Sequence, residues 1–133
     1  MKAFIDANIL MYASGAPHPY KASSLQLLER IADNTIESVS DVEVLQELLY
    51  RYWAVRQADQ GLALCDQAMR LIPTILPVEL PDVVVAKRLF AAYRMIEPRD
   101  AIHAAVMLNH GVTHLYSYDR HFDRIPGLTR FEP

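Results

Sequence analysis

The chain lacks most of what would staple, interrupt or anchor it. A single cysteine, Cys65, excludes an internal disulfide framework. Only 4 glycines stand in 133 residues, which excludes a flexible or low-complexity segment. No apolar run approaches the roughly 20 residues that cross a bilayer. The start MKAFIDAN meets Asp6 before the apolar core of a signal peptide could form, so a cytoplasmic protein with no membrane contact is expected. Basic charge is also scarce: 13 Lys and Arg stand against 16 Asp and Glu, a net charge of -3, which argues against gripping a polyanion over the whole surface. Two features relieve that objection. Bound divalent cations reverse the sign of an acidic pocket, and 10 of the 13 basic residues are Arg, whose planar fork binds phosphate bidentately.

What is present is enough apolar material, 52% of residues, to fill one continuous core, so residues 1–133 read as a single domain with no repeat and no linker. KAFID is a short strand closing on an acid, followed by the helical pattern NILMYAS. After Gly15, Pro17 and Pro19, apolar residues at helical spacing (Leu25, Leu28, Ile31 and Ala32) predict a helix over Tyr20–Asp33. TIESVS reads as a strand. Ser40 and Glu43 have the S-x-x-E spacing of a capping box, which predicts a helix from Ser40 to about Arg56. A further amphipathic helix runs from Ala58 to Ile72, with Cys65 as a small buried side chain, and TILPV is extended. Pro81 opens a helix through VVVAKRLFAAYRM. Pro98 opens another, which Gly111 ends. THLYS and LTRF read as strands flanking a short helix in SYDRHFDRI. Strands separated by helices predict an α/β fold, a three-layer α/β/α sandwich around a central, mainly parallel sheet.

Four acids fall where this layout gathers ligands. Asp6 and Asp119 follow strands, Glu47 lies within a helix, and Asp100 sits in a helix first turn. Each acid taken singly has a purely structural account. Asp6 or Asn8 caps a helix, Glu47 pairs with Arg51, Asp100 complements a helix dipole, and Asp119 and Asp123 serve a turn. Taken jointly they suit a hard cation, Mg²⁺ or Mn²⁺, which prefers carboxylate and water oxygens and relieves the repulsion among crowded acids. His103 shares the helix face of Asp100 three residues on, and packing accounts for it ahead of a ligand or proton-carrier role. The other histidines show no metal spacing.

The segments FIDANIL, SDVEVLQELLYR, RDAIHAA and YSYDRHFDRIPGL, in this order and spanning nearly the whole chain, resemble the motif blocks of the PIN-domain family, especially its VapC-type toxin ribonucleases of type II toxin–antitoxin systems. The resemblance implies a PIN-like fold, a metal-dependent endoribonuclease acting on RNA, a homodimeric toxin form and silencing by a small antitoxin protein. Carried over by position, Asp6, Glu47, Asp100 and Asp119 are the catalytic, metal-holding quartet. Asp123 matches an additional acid of some members, Asn8 the polar residue after the first acid, and Ser117 a supporting hydroxyl. Arg51, Arg120 and Arg124 are candidates for phosphate contacts. Tyr50, Tyr52 and Trp53 read as core or dimer surface ahead of base stacking. Two rivals stand beside this reading. A haloacid-dehalogenase-type phosphohydrolase wants an acid where Asn8 stands, and a catalytically inactive PIN-like binding or scaffold module has no need of all four acids.

Overall fold

The structure, a computed structural model, describes residues 2–133. Its elements follow in the order β1 (Lys2–Ile5), α1 (Ala7–Ser14), α2 (Lys21–Ala32), β2 (Glu37–Asp41), α3 (Val42–Ala54), α4 (Ala58–Leu71), β3 (Thr74–Leu76), α5 (Leu80–Ala92), α6 (Pro98–Asn109), β4 (His114–Tyr116), a 3-10 helix (Arg120–Arg124) and β5 (Thr129–Phe131). The strands form one sheet in the order β3-β2-β1-β4-β5, and every pairing is parallel. In β1 the consecutive residues Ala3, Phe4 and Ile5 are all 0% exposed. Successive strand residues point to opposite faces, so the sheet is covered on both sides and the three-layer expectation holds.

The helix ends follow local chemistry, with three corrections. The helix expected to begin at Ser40 begins at Val42, with Asp41 as its cap. Ser40 is still part of β2 and spends its hydroxyl on the Ile5 carbonyl of the neighbouring strand (2.6 Å), whereas the Asp41 carboxylate caps α3 by accepting from the Val44 N–H (2.9 Å). At its other end α3 stops at Ala54, short of Arg56, which takes a left-handed φ of 61°. The helix expected to run through Tyr93-Arg94-Met95 ends earlier, with Tyr93 as its C-cap. Its start is a capping box between Glu79 and Asp82, with Pro81 inside the first turn. Gly111, at φ 67°, supplies the left-handed residue after α6.

One glycine is required by packing. A Cβ on Gly61 in α4 would lie 2.9 Å from Tyr52 Cβ and 3.2 Å from the Leu48 carbonyl oxygen of α3. Gly61→Ala therefore gains helix propensity but overpacks the α3/α4 crossing, with a net loss on the order of 1–2 kcal/mol. Urea denaturation checks this, and an unchanged midpoint contradicts it.

The strand order positions the site. From β1 the chain moves outward to β2 and β3, then crosses to the other side of β1 to lay down β4 and β5. The turning point of that winding lies between β1 and β4, where the crevice of an open α/β sheet forms at the carboxyl ends of the strands.

Candidate metal centre

Ile5 and Tyr116 are opposite in register, so the residues that follow them leave the sheet side by side. Asp6 and Ser117 are those residues. The Asp6 N–H donates to the Tyr116 carbonyl (3.1 Å), and the Ser117 hydroxyl donates to Asp6 Oδ2 (2.6 Å). Asp6 Oδ1 accepts from the Ala7 N–H (2.7 Å), so this acid both caps α1 and enters the crevice. Asn8 spans the same junction, donating to Ser117 Oγ (3.2 Å) and accepting from the Tyr118 N–H (3.4 Å). Ser117 Oγ in turn accepts from the Asp119 N–H (3.0 Å). Asn8 and Ser117 thus form a bracket between the two loops.

Glu47 reaches the crevice from α3 and Asp100 from the first turn of α6. Ligand atoms of Asp6, Glu47, Asp100 and His103 all lie within 4.8 Å of one another, and all four residues are buried. The carboxylates of Asp6, Glu47 and Asp100 line a cavity of about 590 Å³, together with Asp119 at its rim. Asp119 accepts from the His121 N–H (2.9 Å) and starts the 3-10 helix. Asp123 does not join the set. Its half-exposed carboxylate is held bidentately by Arg130 (2.9 and 3.1 Å), an ion pair that the sequence order did not reveal.

His103 does more than pack. Fully buried beneath the acids, it places Nδ1 at 2.9 Å from Asp41 Oδ2 and Nε2 at 3.4 Å from Glu47 Oε1 and 4.0 Å from Asp6 Oδ1. Burial opposes its charging, but the charge and hydrogen bond of Asp41, with those of Glu47 and Asp6, hold its pKa well above the usual imidazole value. The ring is therefore an imidazolium under the crevice. Both nitrogens are spoken for, so the face presented to a cation is three carboxylates. Asp41, 0% exposed, went unremarked in the sequence because nothing in its neighbourhood points to a histidine 62 residues away. Asp41→Ala removes a helix cap and strands a buried cation, a loss of about 3–5 kcal/mol. Equilibrium unfolding reads this loss, and a shift below 1 kcal/mol would refute it.

The acids carry uneven charge. Burial raises Asp6 to about 6, with His103 opposing and Glu47 reinforcing the shift. Burial, the Asp6 charge and a hydrogen bond with Asp119 push Asp100 up to about 9. Burial also works against Glu47, yet the hydrogen bond and charge of His103, with Arg51 (3.2 Å) and Arg99 (3.8 Å), hold it below the ordinary carboxylate value. Carboxyls this close together repel one another unless a proton or a cation offsets their charge. A divalent ion supplies the countercharge the protons otherwise provide. The donor set fits a hard, oxygen-preferring cation.

Among the aromatic residues of α3, Tyr52 is buried in the core. Trp53 is 66% exposed, and Tyr50 carries the Arg99 guanidinium 5.5 Å from its ring centre. Arg51 lines the cavity while paired to Glu47. Arg120 and Arg124 are exposed on the 3-10 helix.

The sequence pattern of the PIN domain matches residues 3–128, and the chain belongs to the PIN domain family. Ribonuclease VapC13 of Mycobacterium tuberculosis is 39% identical over 126 residues, covering 95% of this chain and 96% of that protein. Among solved structures, Mycobacterium tuberculosis VapC20, described as a Sarcin-Ricin loop cleaving toxin, superposes with a TM-score of 0.80 at 18% identity, covering 98% of this chain and 99% of that one. A toxin-antitoxin complex from Klebsiella pneumoniae gives 0.68 at 20% identity, with coverage of 98% and 99%. These last two share the fold. No helix among the described residues is long and apolar enough to cross a membrane.

Proposed function

We propose that this chain is a metal-dependent endoribonuclease, the toxin of a toxin–antitoxin pair acting in the cytoplasm, with Asp6, Glu47 and Asp100 holding Mg²⁺ or Mn²⁺ and Asp119 assisting at the rim. The observation that carries this reading is the convergence of three buried carboxylates within 4.8 Å at the turning point of the sheet, two of them raised in pKa by that burial. The likeness to a ribonuclease over 95% of the chain supports the same reaction.

A cation bound there supplies Lewis acidity, lowering the pKa of a coordinated water and stabilising charge on the phosphate. The protein's own residues do the rest. Ser117, Asn8 and the Ala7 N–H fix the Asp6 carboxylate, so it meets a ligand without rearrangement. Glu47, kept ionised by His103, Arg51 and Arg99, stays anionic for the cation, and Asp119 at the cavity rim orients the attacking water.

The partner reading rests on surface chemistry and likeness. Trp53, Val55, Leu62 and Met69 leave apolar side chains exposed on the packed pair α3 and α4, surface of the kind a protein partner covers. A small antitoxin and a homodimer are the proposed assemblies.

The deciding experiment takes the purified chain, freed of any bound inhibitor, and incubates it with transfer, ribosomal and messenger RNA in Mg²⁺, in Mn²⁺ and in EDTA. Cleavage of at least one RNA that stops in EDTA is expected. Mn²⁺ binding with every RNA left intact would point instead to an inactive PIN-like module.

A further inference from the structure

The acid-lined cavity has a second wall of different chemistry. Tyr12, Tyr20 and Tyr118 line it together with Glu47 and Asp100, and the three rings form one cluster. Tyr20 and Tyr118 are parallel within 3° at a centroid separation of 4.0 Å, and Tyr12 meets both edge-on at 5.2 and 5.3 Å. His18 closes the group, 4.5 Å from the Tyr12 ring and 4.9 Å from that of Tyr20.

Two features separate this cluster from ordinary core. Tyr20 is 36% exposed and His18 lies at the surface, so the cluster reaches solvent instead of being wholly enclosed. The Tyr118 ring is also held in place from behind, because its hydroxyl meets Ser23 Oγ (2.9 Å) and Ser24 Oγ (3.0 Å) and donates to the Tyr20 carbonyl (3.3 Å). A ring fixed this way gives up little freedom when a flat ligand lies against the stack. Tyr118 also stands directly between Ser117 and Asp119, so the stack begins where the acids end.

Charge makes such a wall necessary. Arg51 is the one cationic side chain lining the cavity among the described residues, and it is tied to Glu47, while Asp6, Glu47, Glu97, Asp100 and Asp119 line the same cavity. A strand of nucleic acid entering here finds little cationic attraction beyond any bound metal, so much of its binding has to come from uncharged contact. Base stacking on tyrosine is the contact that supplies this, and it is tolerant of sequence because every base has a π-face.

We infer that the Tyr12, Tyr20 and Tyr118 cluster is a nucleobase subsite, with the outer face of the Tyr20/Tyr118 stack receiving an unpaired base next to the phosphate being cut. The inference rests on the ribonuclease reading and adds to it which side chains hold the base beside the cut. It also separates the work, since the acids handle the phosphate and the aromatic wall holds the base beside it.

The test uses the purified full chain and a short single-stranded RNA with one cut site, together with versions carrying an abasic nucleotide on either side of that site. Tyr20→Ala is expected to lower kcat/KM by about five- to hundredfold, the loss of one stacked base, with the change falling on KM. Tyr20→Trp restores it. Removing the base on the stacked side costs wild type the same factor and costs Tyr20→Ala nothing more. Anisotropy of the labelled RNA with metal-free protein follows the same ranking without needing turnover. Equal kcat/KM and binding for wild type and Tyr20→Ala overturns the subsite even while cleavage persists. Stack-dependent binding with no cleavage by wild type would remove the nuclease reading and leave the subsite standing, and absence of both overturns both.

Discussion

Asp100→Asn is expected to lower RNA cleavage by on the order of a thousandfold, as befits loss of about 4 kcal/mol of metal-borne transition-state stabilisation, while leaving the metal-free protein as stable as the parent. The two halves of that outcome share one cause. In the absence of metal the Asp100 carboxyl, raised to about 9 by burial, Asp6 and Asp119, already holds its proton at neutral pH. An amide of the same shape therefore changes little until a cation arrives, at which point it cannot supply an anionic oxygen. Asp6→Asn should abolish cleavage as well, with a modest loss of stability because Asp6 also accepts from the Ala7 N–H and from Ser117. Gel-based cleavage paired with thermal melts in EDTA and in Mn²⁺ separates the two effects. Both variants cutting at the parental rate would remove the carboxylates from the chemistry.

The second large effect is a competition between protons and metal. Asp6, at about 6, and Asp100, at about 9, lie above their ordinary value of 3.8. The folded metal-free protein holds protons on them that the unfolded chain has released. Their contribution to stability is fully present below about pH 4 and is lost as pH rises through 6 and then toward 9. His103, also raised, contributes in the same sense, with stability present below the ordinary imidazole value and lost as pH climbs through its higher folded value. Melting temperature in EDTA is therefore expected to fall from pH 6 to pH 8.5. Affinity for Mn²⁺ should rise over the same window, by up to about tenfold per pH unit for each proton displaced. Calorimetric titration at three pH values measures this, and an affinity indifferent to pH would mean that the carboxyls are not the ligands.

The sequence made the alternation of strands and helices legible, and with it the placement of Asp6 and Asp100, because periodicity and first-turn chemistry are local. What it could not show were contacts between distant segments. The S-x-x-E spacing favoured Ser40 as the cap, yet the competing partner for that hydroxyl, the Ile5 carbonyl, lies on another strand. His103 read as packing because its spacing from Asp100 is local, whereas the partners that make it an internal cation, Asp41 and Glu47, come from β2 and α3. Asp123 looked like one more acid of the set until the fold brought Arg130 against it. The aromatic wall was hidden for the same reason, its rings coming from α1, the loop before α2 and the loop after β4.

The order in which the strands are laid down also sets when the acid site can assemble. β1 waits for a neighbour on one side that is made only after β2, β3 and α6, and Asp6 gains the Ser117 hydroxyl only after β4 is in place. A partly synthesised chain emerging from the ribosome, with α6 and β4 still to come, has neither Asp100 nor the bracket that steadies Asp6. Until β4 has been made, the emerging chain therefore lacks the assembled acid site.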